Sequence, residues 1–307
     1  MNKVQNPFAS FDNQPDEFVD EATLGIYEYI HNELDDREPK LGGGNRASAS
    51  GSCVRKVWFQ NKGLKGELMA PRAILNFTLG DVTEAVVTSF IKSALVGSLY
   101  KSVDFGEKIG EVMIQNRLIE AYSQETVTTT IPASFGDISI PGHADGWGEL
   151  QDGSWELIEI KSASSYGFQE FEKNGPGDYI YQAHCLMMSD KAQSLGVKRV
   201  RFFYIKKDTG HLATGVFPYE ESVAQEVRRS FIKANQEEMP CRGCQVEDET
   251  VRKKLTGRKK LHWKGAYCGF KDKCYELEKS FQSSFGTMKP VFYVKRVKDD
   301  SEVFSEK

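Results

Sequence analysis

The sequence predicts a mixed α/β protein with a mixed sheet flanked by helices, and three observations favour this class. The 307 residues are 39% hydrophobic and 27% charged, the balance of a globular chain long enough to bury one sizeable core. Three β-rich runs separated by Gly, Asp and Ser occupy residues 127–163. Stretches with helical spacing of apolar residues lie both before and after these runs, and this order of elements is typical of the α/β class.

The individual elements follow from the same periodicity. Apolar residues at helical spacing predict helices over 15–36, 52–63, 73–95, 107–123, 178–194 and 219–238. β-branched and aromatic runs predict strands over 127–135, 137–150, 154–163, 198–207 and 211–219. The helix at 73–95 is mostly apolar, so we expect most of its surface to be buried. The glycines and serines of 41–52 predict a linker or turn.

Three domains are predicted from these elements. Residues 1–44 form an N-terminal helical arm and linker, residues 45–240 the α/β core, and residues 241–307 an appended module. The last part differs from the core in its cysteines, its basic run and a tail without clear periodicity. We therefore expect it to be an irregular, Cys-rich metal module.

Composition and charge limit the classes of function. No uniformly apolar run of about 18 residues is present and the first residues are polar and acidic, so we expect neither a transmembrane helix nor a secretory signal. The predicted location is cytoplasmic, where six cysteines favour metal binding, redox chemistry or simple burial over disulfides. With a net charge of −4, any nucleic-acid binding has to come from a local patch.

In the sequence WELIEIKSA, residues 155–163, Glu159 and Lys161 stand among apolar residues, in addition to Glu156 near the start. Side chains alternate along a strand, so Glu159 and Lys161 share a face with Leu157, while the two isoleucines point the other way. A buried charge is costly unless it is paired or binds a metal. The strand is therefore either the salt-bridged edge of a surface sheet or part of a metal site.

An acid in the preceding segment, GHADGW, favours the metal site. Asp145 is flanked by glycine there, so its side chain can project from a strand end and converge with Glu159 and Lys161. Two carboxylates and a backbone carbonyl suit a hard cation such as Mg²⁺ or Mn²⁺. Such an ion would activate water at a phosphate, and Lys161 would position the nucleophile or stabilise the transition state. His143 is expected to be a neighbour of this site and not a ligand.

This pattern resembles the PD-(D/E)XK nuclease superfamily, in particular its RecB-like and CRISPR-associated exonuclease branch. The family places an acid in a G-x-x-D strand and E-x-K on the next strand, and here these motifs stand at residues 142–145 and 159–161. The resemblance covers residues 45–275 in the order of its motifs and implies a restriction-endonuclease-like core. It also implies a metal-dependent DNA exonuclease acting on single strands or ends, in recombination, repair or phage DNA processing.

Two further motifs of the family are present, each with one departure. Upstream, the family has G-x-x-x-H, and here Glu84 stands where the metal-binding histidine belongs, after Gly80. A carboxylate can also ligate Mg²⁺ or Mn²⁺; a paired structural acid is the alternative for Glu84. Downstream, Tyr179 and Gln182 match Y-x-x-Q-x-x-x-Y, but Leu186 replaces its second tyrosine. The resemblance implies that Gln182 orients the nucleophile or a phosphate and that Tyr179 contacts nucleic acid, whereas the alternative for Gln182 is a helix-surface amide.

The cysteines resemble a second metal site of the same family. Many RecB-like nucleases hold an iron–sulfur cluster with one N-terminal cysteine and a C-terminal C-x-x-C-x₅-C motif. Cys268 and Cys274 match the end of that motif, and Cys53 matches the lone N-terminal ligand. The resemblance implies a [4Fe–4S] cluster with Cys244 as the fourth ligand and Cys241 as its alternative.

The cysteines have two alternative interpretations besides an iron–sulfur cluster. Gly265 stands where the first cysteine of the C-terminal motif belongs, so the motif is incomplete. Structural zinc is the alternative metal, with four ligands: Cys241, Cys244, Cys268 and Cys274. Cysteines without a metal are the third possibility, and Cys185 is expected to be a small buried apolar residue.

A basic run over residues 251–264, VRKKLTGRKKLHWK, is the expected nucleic-acid patch because it contains no acid. Phosphates attract the cations, and an exposed indole can stack on a base. The candidate contacts are Arg252, Lys253, Lys254, Arg258, Lys259, Lys260 and Trp263. A solvated loop without a ligand is the alternative. Four more cations are expected to extend the groove: Arg55, Lys56, Lys206 and Lys207.

The favoured function is a Mg²⁺- or Mn²⁺-dependent deoxyribonuclease, an exonuclease in preference to an endonuclease. Glu84, Asp145 and Glu159 are the expected metal ligands, and Lys161 and Gln182 complete the catalytic set. One alternative is a catalytically silent nucleic-acid-binding module. The other is a zinc-stapled interaction protein in which the basic run meets an acidic partner.

Overall fold

The computed structural model describes residues 3–5, 18–35, 42–67, 71–114, 116–243, 246–284 and 287–304. Its α-helices are α1 (Glu21–Asp35), α2 (Val54–Asn61), α3 (Pro71–Leu95), α4 (Ser165–Asn174), α5 (Tyr179–Met187), α6 (Asp190–Leu195), α7 (Glu221–Asn235), α8 (Trp263–Ala266) and α9 (Lys271–Cys274). The predicted helices are confirmed except the one over 107–123. The predicted helix over 178–194 is divided into α5 and α6, because Ser189 accepts a hydrogen bond from the Ala192 N–H and starts a new helix.

The predicted strands are also present, and further strands accompany them. They are β1 (Lys3–Gln5), β2 (Phe18–Asp20), β3 (Tyr100–Asp104), β4 (Lys108–Ile114), β5 (Arg117–Tyr122), β6 (Glu125–Ile131), β7 (Ile138–Ala144), β8 (Gly146–Leu150), β9 (Trp155–Ala163), β10 (Arg199–Lys206), β11 (Leu212–Pro218), β12 (Val246–Val251), β13 (Lys254–Leu261), β14 (Tyr275–Ser284) and β15 (Thr287–Val297). The predicted run over 137–150 forms two strands, β7 and β8.

The chain divides into two compact units. We call residues 45–52 and 78–236 the core unit, and residues 1–44, 53–77 and 237–307 the terminal unit. The predicted domain limits at residues 44 and 240 stay a prediction.

A five-stranded mixed sheet forms the centre of the core unit, in the order β11-β10-β9-β8-β3. Strands β9 and β10 are parallel, and the other neighbours are antiparallel. Val87 and Ile91 of α3 pack on Ile158 and Ile160 of β9, so the isoleucines of WELIEIKSA are core residues. The predicted mixed α/β class, with a mixed sheet flanked by helices, is confirmed.

The chain changes sheets at Asp145. Strand β7 pairs with β6 in a separate two-stranded sheet, whereas β8 pairs with β9 and places Gly146 opposite Ile158. The three β-rich runs of residues 127–163, whose order favours a single antiparallel meander, are therefore divided between two sheets. The junction leaves Asp145 beyond the last residue pair of β8 and β9, where its side chain is free of the regular strand alternation.

The terminal unit contains a four-stranded antiparallel sheet in the order β12-β13-β15-β14. Its core includes Trp58 and Phe59 of α2, with Phe270 and Phe292. The expected irregular tail is wrong, because β14 and β15 form a long hairpin. A Cys-rich metal module is not shown either: Cys241 is exposed, whereas the other two described cysteines of this region are buried.

Residues 107–123 form a hairpin of β4 and β5, not the predicted helix. The apolar residues Ile109, Val112 and Met113 have the spacing of a helical face, which produced the wrong prediction, yet all three are exposed. β-branched residues favour strands, and Asn116 adopts a positive φ of 61° at the turn, a conformation that asparagine tolerates. Local turn chemistry therefore outweighs the apparent period.

Helix α3 is less buried than expected. Leu79, Val82 and Phe90 are exposed, because only one side of this apolar helix packs on the sheet. By length and composition its residues 73–95 could cross a membrane, although a core helix of a soluble protein passes the same test. The expected absence of a transmembrane helix and the cytoplasmic location therefore both stay predictions.

Gly142 of the G-x-x-D motif lies where a side chain has no room. A Cβ there would lie 2.5 Å from the Ala47 Cβ and 2.7 Å from the Leu186 Cδ2. We expect Gly142→Ala to lower the free energy of unfolding by about 1–3 kcal/mol, because two packed neighbours would have to move. Urea denaturation measures this, with Gly110→Ala as the control, since a Cβ at that strand glycine meets nothing within 4 Å. Equal stability of the two variants would contradict the prediction.

Candidate active site

Asp145 is held at the sheet junction by three donors. Its Oδ2 accepts from the Ile160 N–H at 2.7 Å and lies 3.4 Å from the Lys161 Nζ. Its Oδ1 accepts from the Gln124 Nε2 at 2.9 Å. The Ile160 N–H lies beyond Ile158, which pairs with Gly146, the first residue of β8, so the carboxylate takes the place of a strand partner. The carboxylate is therefore buried and oriented beside Ile160 of β9.

Glu159 and Lys161 form the second part of the site on β9. The Lys161 Nζ lies 2.6 Å from the Glu159 Oε2, so one ammonium contacts both the Glu159 and Asp145 carboxylates. The Glu159 side chain has no solvent exposure. Its second oxygen, Oε1, is buried and has no hydrogen-bond partner in the described structure. The surface-strand alternative for WELIEIKSA is therefore wrong, because Glu159 and Lys161 lie in a buried cluster.

Glu84 reaches this cluster from α3. A Cβ at Gly80 would lie 3.2 Å from the Ser162 Oγ, so the glycine allows α3 to come close to β9 one turn before Glu84. The Glu84 Oε1 accepts from the Gln124 Nε2 at 2.6 Å. Gln124 thus connects Glu84 and Asp145, and the sequence analysis missed it. No motif indicated this residue, because a lone glutamine between two strands has no sequence signature.

The pKa values of the acids reflect their crowding. Burial raises the pKa of Glu159 to about 8, and the Asp145 charge adds to the shift, while Lys161 opposes it. Burial and the Asp145 charge likewise raise the pKa of Glu84 to about 7. Burial disfavours the Lys161 ammonium, but the charges of Asp145 and Glu159 outweigh it and raise its pKa. At neutral pH the cluster therefore keeps a charged lysine and holds a proton on its carboxylates.

The acids of this cluster have the chemistry that a hard divalent cation prefers, but their side chains are not arranged as a complete set of ligands. Among the described residues, no three His, Cys, Asp or Glu side chains are placed to hold an ion as they are. A nitrogen separates each neighbouring pair of acids: the Gln124 amide lies between Glu84 and Asp145, and the Lys161 ammonium between Asp145 and Glu159. Three carboxylates suit Mg²⁺ or Mn²⁺, and the buried, unpartnered Glu159 oxygen is an acceptor that such an ion would satisfy.

The downstream motif borders the site only in part. Tyr179 is half-exposed, and the Lys161 Nζ lies 5.5 Å from its ring centroid. Gln182 lies on α5 but, within the described chain, has no hydrogen bond to the carboxylates or to Lys161. Leu186, which replaces the family tyrosine, is a buried core residue against Gly142. His143 is exposed and contacts the Thr126 hydroxyl at 3.2 Å, away from the acids.

Three of the cysteines come together in the terminal unit. Cys53, Cys268 and Cys274 line one small cavity together with the cations Arg55 and Arg242. Burial raises the pKa of Cys274 to about 11, and the other two cysteines add to the shift, while the arginines oppose it. Cys241 is exposed and does not line this cavity. The expected ligand Cys244 lies outside the described residues.

Gly243 also lines this cavity. A Cβ at Gly243 would lie 3.0 Å from the Cys53 Sγ, so the backbone just before residue 244 is close to the cavity. A thiolate from this segment would be the fourth sulfur ligand, and four cysteines are the ligand set of both an iron–sulfur cluster and a structural zinc site. Cys185 is buried in the core unit and is a small apolar residue, as expected.

The basic run lies on a strand and its charges are partly paired, which the sequence did not indicate. Arg252 and Lys253 form the turn between β12 and β13, both with positive φ. Acids of β12 lie opposite the lysines of β13, with Glu247 across from Lys260 and Asp248 across from Lys259. Arg258 forms an ion pair of 2.9 Å with Glu278. Lys254 is exposed on the same hairpin.

Trp263 is 62% exposed at the start of α8, directly after this strand, so its indole face is accessible. Arg55 does not extend the groove as expected, because it is buried and paired with Asp300 at 2.7 Å. Lys206 is the last residue of β10 and Lys207 follows it, both in the core unit. The charges of the basic run, residues 251–264, are therefore partly offset by acids, and Trp263 is its exposed aromatic residue.

Comparisons with known proteins place the chain among distant structures. No protein-family model and no curated protein matches it. It is similar to the crystal structure of SSO0001, at 11% identity, 82% coverage of this chain, 95% of that chain and a TM-score of 0.43. For LHK-Exo in complex with dAMP, the identity is 14%, the coverages are 66% and 90%, and the TM-score is 0.36. For Rai1 of Scheffersomyces stipitis, in complex with (3'-NADP)⁺ and calcium ion, the identity is 13%, the coverage is 61% of this chain and 42% of that chain, and the TM-score is 0.25. At these identities and TM-scores, function has to be inferred from the site.

Proposed function

We propose that this protein is a metal-dependent nuclease that hydrolyses phosphodiester bonds in DNA. The observation that carries the proposal is the buried Glu159 oxygen without a partner, set among Asp145, Glu84 and Lys161. A structural ion cluster would pair its buried acceptors, as a wholly buried polar atom without a partner is costly. A divalent cation would satisfy this atom and offset the crowded negative charge.

The roles of the side chains follow from their contacts. Glu84, Asp145 and Glu159 would hold Mg²⁺ or Mn²⁺, which supplies an activated water and Lewis acidity at phosphorus when bound. The Ile160 N–H fixes the Asp145 carboxylate through a bond of 2.7 Å. Lys161 keeps its proton in this setting, so its role is to stabilise negative charge on the phosphate and not to act as a general base.

Residues beside the cluster support a nucleic-acid substrate. Tyr179 presents a half-exposed ring next to Lys161, where it can contact a sugar or base of a bound strand. We propose that Gln182 orients the nucleophile or a phosphate once substrate is bound. Exonuclease action on single strands or ends, and a role in recombination, repair or phage DNA processing, follow from the motif resemblance alone. Trp263 and the hairpin cations are proposed secondary DNA contacts.

Cleavage of end-labelled DNA tests the proposal. We expect wild-type protein to release product from single-stranded or double-stranded DNA with Mg²⁺ or Mn²⁺ and none with EDTA. Asp145→Asn keeps the shape of the side chain but removes the ligand charge, so we expect a loss of at least about 100-fold. Asp152→Asn is the matched control, because Asp152 is an exposed turn residue that pairs with Ser154.

The product pattern decides between the remaining functions. Mononucleotide release from a labelled end indicates an exonuclease, whereas internal fragments from circular DNA indicate an endonuclease. Folded wild-type protein loaded with Mn²⁺ could instead bind DNA in a salt-sensitive way without cleaving it. That result would contradict the nuclease proposal and favour a catalytically silent nucleic-acid-binding module. If the protein neither binds nor cleaves DNA, the zinc-stapled interaction protein with an acidic partner would be favoured.

For the cysteines, we propose a [4Fe–4S] cluster held by Cys53, Cys268, Cys274 and Cys244. The shared cavity of three of these thiols supports it, as does its lining of arginines, whose charge offsets that of four thiolates. The zinc alternative uses Cys241 in place of Cys53. The exposure of Cys241 and the position of Cys53 in the cavity favour the cluster's ligand set.

Metal analysis of protein purified without oxygen separates the two cysteine sites. We expect iron and sulfide in wild type, their loss in Cys53→Ser, and wild-type content in Cys241→Ser. The reverse pattern, zinc that is lost in Cys241→Ser and kept in Cys53→Ser, would establish the structural zinc instead.

A further inference from the structure

Gln124 is placed by contacts on both sides of it in the chain. The preceding Ser123 donates its N–H to the Glu107 carbonyl at 2.8 Å. The following Glu125 accepts from the indole N–H of the buried Trp147 at 2.8 Å and pairs with Lys191 at 3.2 Å. The backbone at Gln124 is therefore fixed, and its side chain is directed to one place.

The Gln124 amide contacts two acids from different elements. Its Nε2 lies 2.6 Å from the Glu84 Oε1 on α3 and 2.9 Å from the Asp145 Oδ1 at the β7–β8 junction. An amide nitrogen has two hydrogens, so both contacts can be full hydrogen bonds at once. Hydrogen bonds to a charged acceptor are the stronger kind, and each of these also holds one carboxylate against repulsion from the other.

These contacts use only one oxygen of each acid, the Glu84 Oε1 and the Asp145 Oδ1. The second oxygen of Asp145 is fixed by the Ile160 N–H, and the second oxygen of Glu159 is without a partner. Groups that hydrogen-bond to metal-ligating carboxylates set their orientation, and loss of such a group lowers metal affinity by about 10–100-fold.

We infer that Gln124 is a positioning residue of the metal site, which holds Glu84 and Asp145 at a separation and orientation that one divalent cation can bridge. The inference rests on the proposed function, since it concerns the same ion. Gln124 binds neither the ion nor the substrate itself. Its role is to keep an acid of a helix and an acid of a sheet junction together before the ion arrives.

Mn²⁺ titration followed by electron paramagnetic resonance tests this without measuring catalysis, because only free Mn²⁺ gives the sharp six-line signal. We compare wild type with Gln124→Leu, which keeps the volume but removes both donors, and with Gln124→Ala. The control is Gln225→Ala, which removes an exposed amide that lies 3.5 Å from the Glu221 carboxylate on α7. All variants are first compared by circular dichroism, so that a variant that does not fold is not used.

We expect the Kd for Mn²⁺ to rise about 10–100-fold in the Gln124 variants and to stay unchanged in Gln225→Ala. With DNA as substrate, kcat at saturating Mn²⁺ should return to within a few-fold of wild type, because the reacting groups themselves are intact. Wild-type or tighter Mn²⁺ affinity in Gln124→Leu would overturn the inference and leave the nuclease proposal standing. A folded wild type that binds no Mn²⁺ would overturn both.

Discussion

We expect the single substitution Lys161→Met both to abolish DNA cleavage and to destabilise the metal-free protein. The substitution keeps the aliphatic stem but leaves Asp145 and Glu159, both buried, without their shared counter-charge. Breaking a buried ion pair from one side costs about 3–5 kcal/mol, and loss of the charge that stabilises the transition state costs about 100-fold or more in rate. Urea denaturation and the DNA cleavage assay measure the two effects.

The effects of pH and of Mn²⁺ on the stability of Lys161→Met identify the cause of its destabilisation. We expect the destabilisation to be smaller at pH 6 than at pH 9, because a protonated Glu159 no longer repels Asp145. Mn²⁺ should restore stability, because the ion replaces the missing positive charge, but it should not restore cleavage. Lys101→Met is the control, since the Lys101–Glu149 pair is on the surface and contributes little. A variant that cleaves DNA like wild type would remove Lys161 from the catalytic set.

Glu159→Gln should abolish metal-dependent cleavage and change how stability depends on pH. The amide retains the size of the side chain and can still accept a hydrogen bond from Lys161, but it removes a charged ligand. We therefore expect a loss of cleavage of at least about 100-fold and a weaker Mn²⁺ affinity. Cleavage assays and Mn²⁺ titration measure these two quantities.

The pH effect has a definite sign. Glu159 has a pKa of about 8 in the folded protein, above its ordinary value in an unfolded chain, so the folded state binds more protons between those values. Stability that a raised carboxyl pKa provides is present at low pH and is lost as the pH rises towards about 8. We expect the metal-free wild type to lose unfolding free energy over this range, and Glu159→Gln to lose less. Parallel pH profiles would contradict this.

Glu156→Gln is the matched control for Glu159→Gln. Glu156 lies on the same strand and is also wholly buried, but it accepts hydrogen bonds from Tyr100 and from two arginines, Arg199 and Arg201. Its substitution should destabilise the protein, because it leaves the partly buried Arg201 without its counter-charge, yet leave Mn²⁺ affinity unchanged. The two variants thus separate a structural buried acid from a proposed ligand.

Local sequence patterns predicted the central sheet of the core unit well. Strand alternation in WELIEIKSA correctly separated Ile158 and Ile160, which pack on α3, from Glu159 and Lys161. The acids of the two sheet motifs and Glu84 converge as the motif order indicated. The same reasoning failed at 107–123, because the apolar residues on both faces of β4 imitate a helical period.

The sequence by itself determined strands β6 to β11, the helices around them and the charged residues of β9, because alternation and periodicity act between near neighbours in the chain. The tertiary structure alone decided which distant groups meet. It brought Gln124 between Glu84 and Asp145 and placed Cys53 beside Cys268 in one cavity. It also set acids of β12 against the basic strand β13, which lowered the positive charge of that patch. Such contacts depend on how chain segments pack, and side-chain packing between remote segments leaves no local pattern in the sequence.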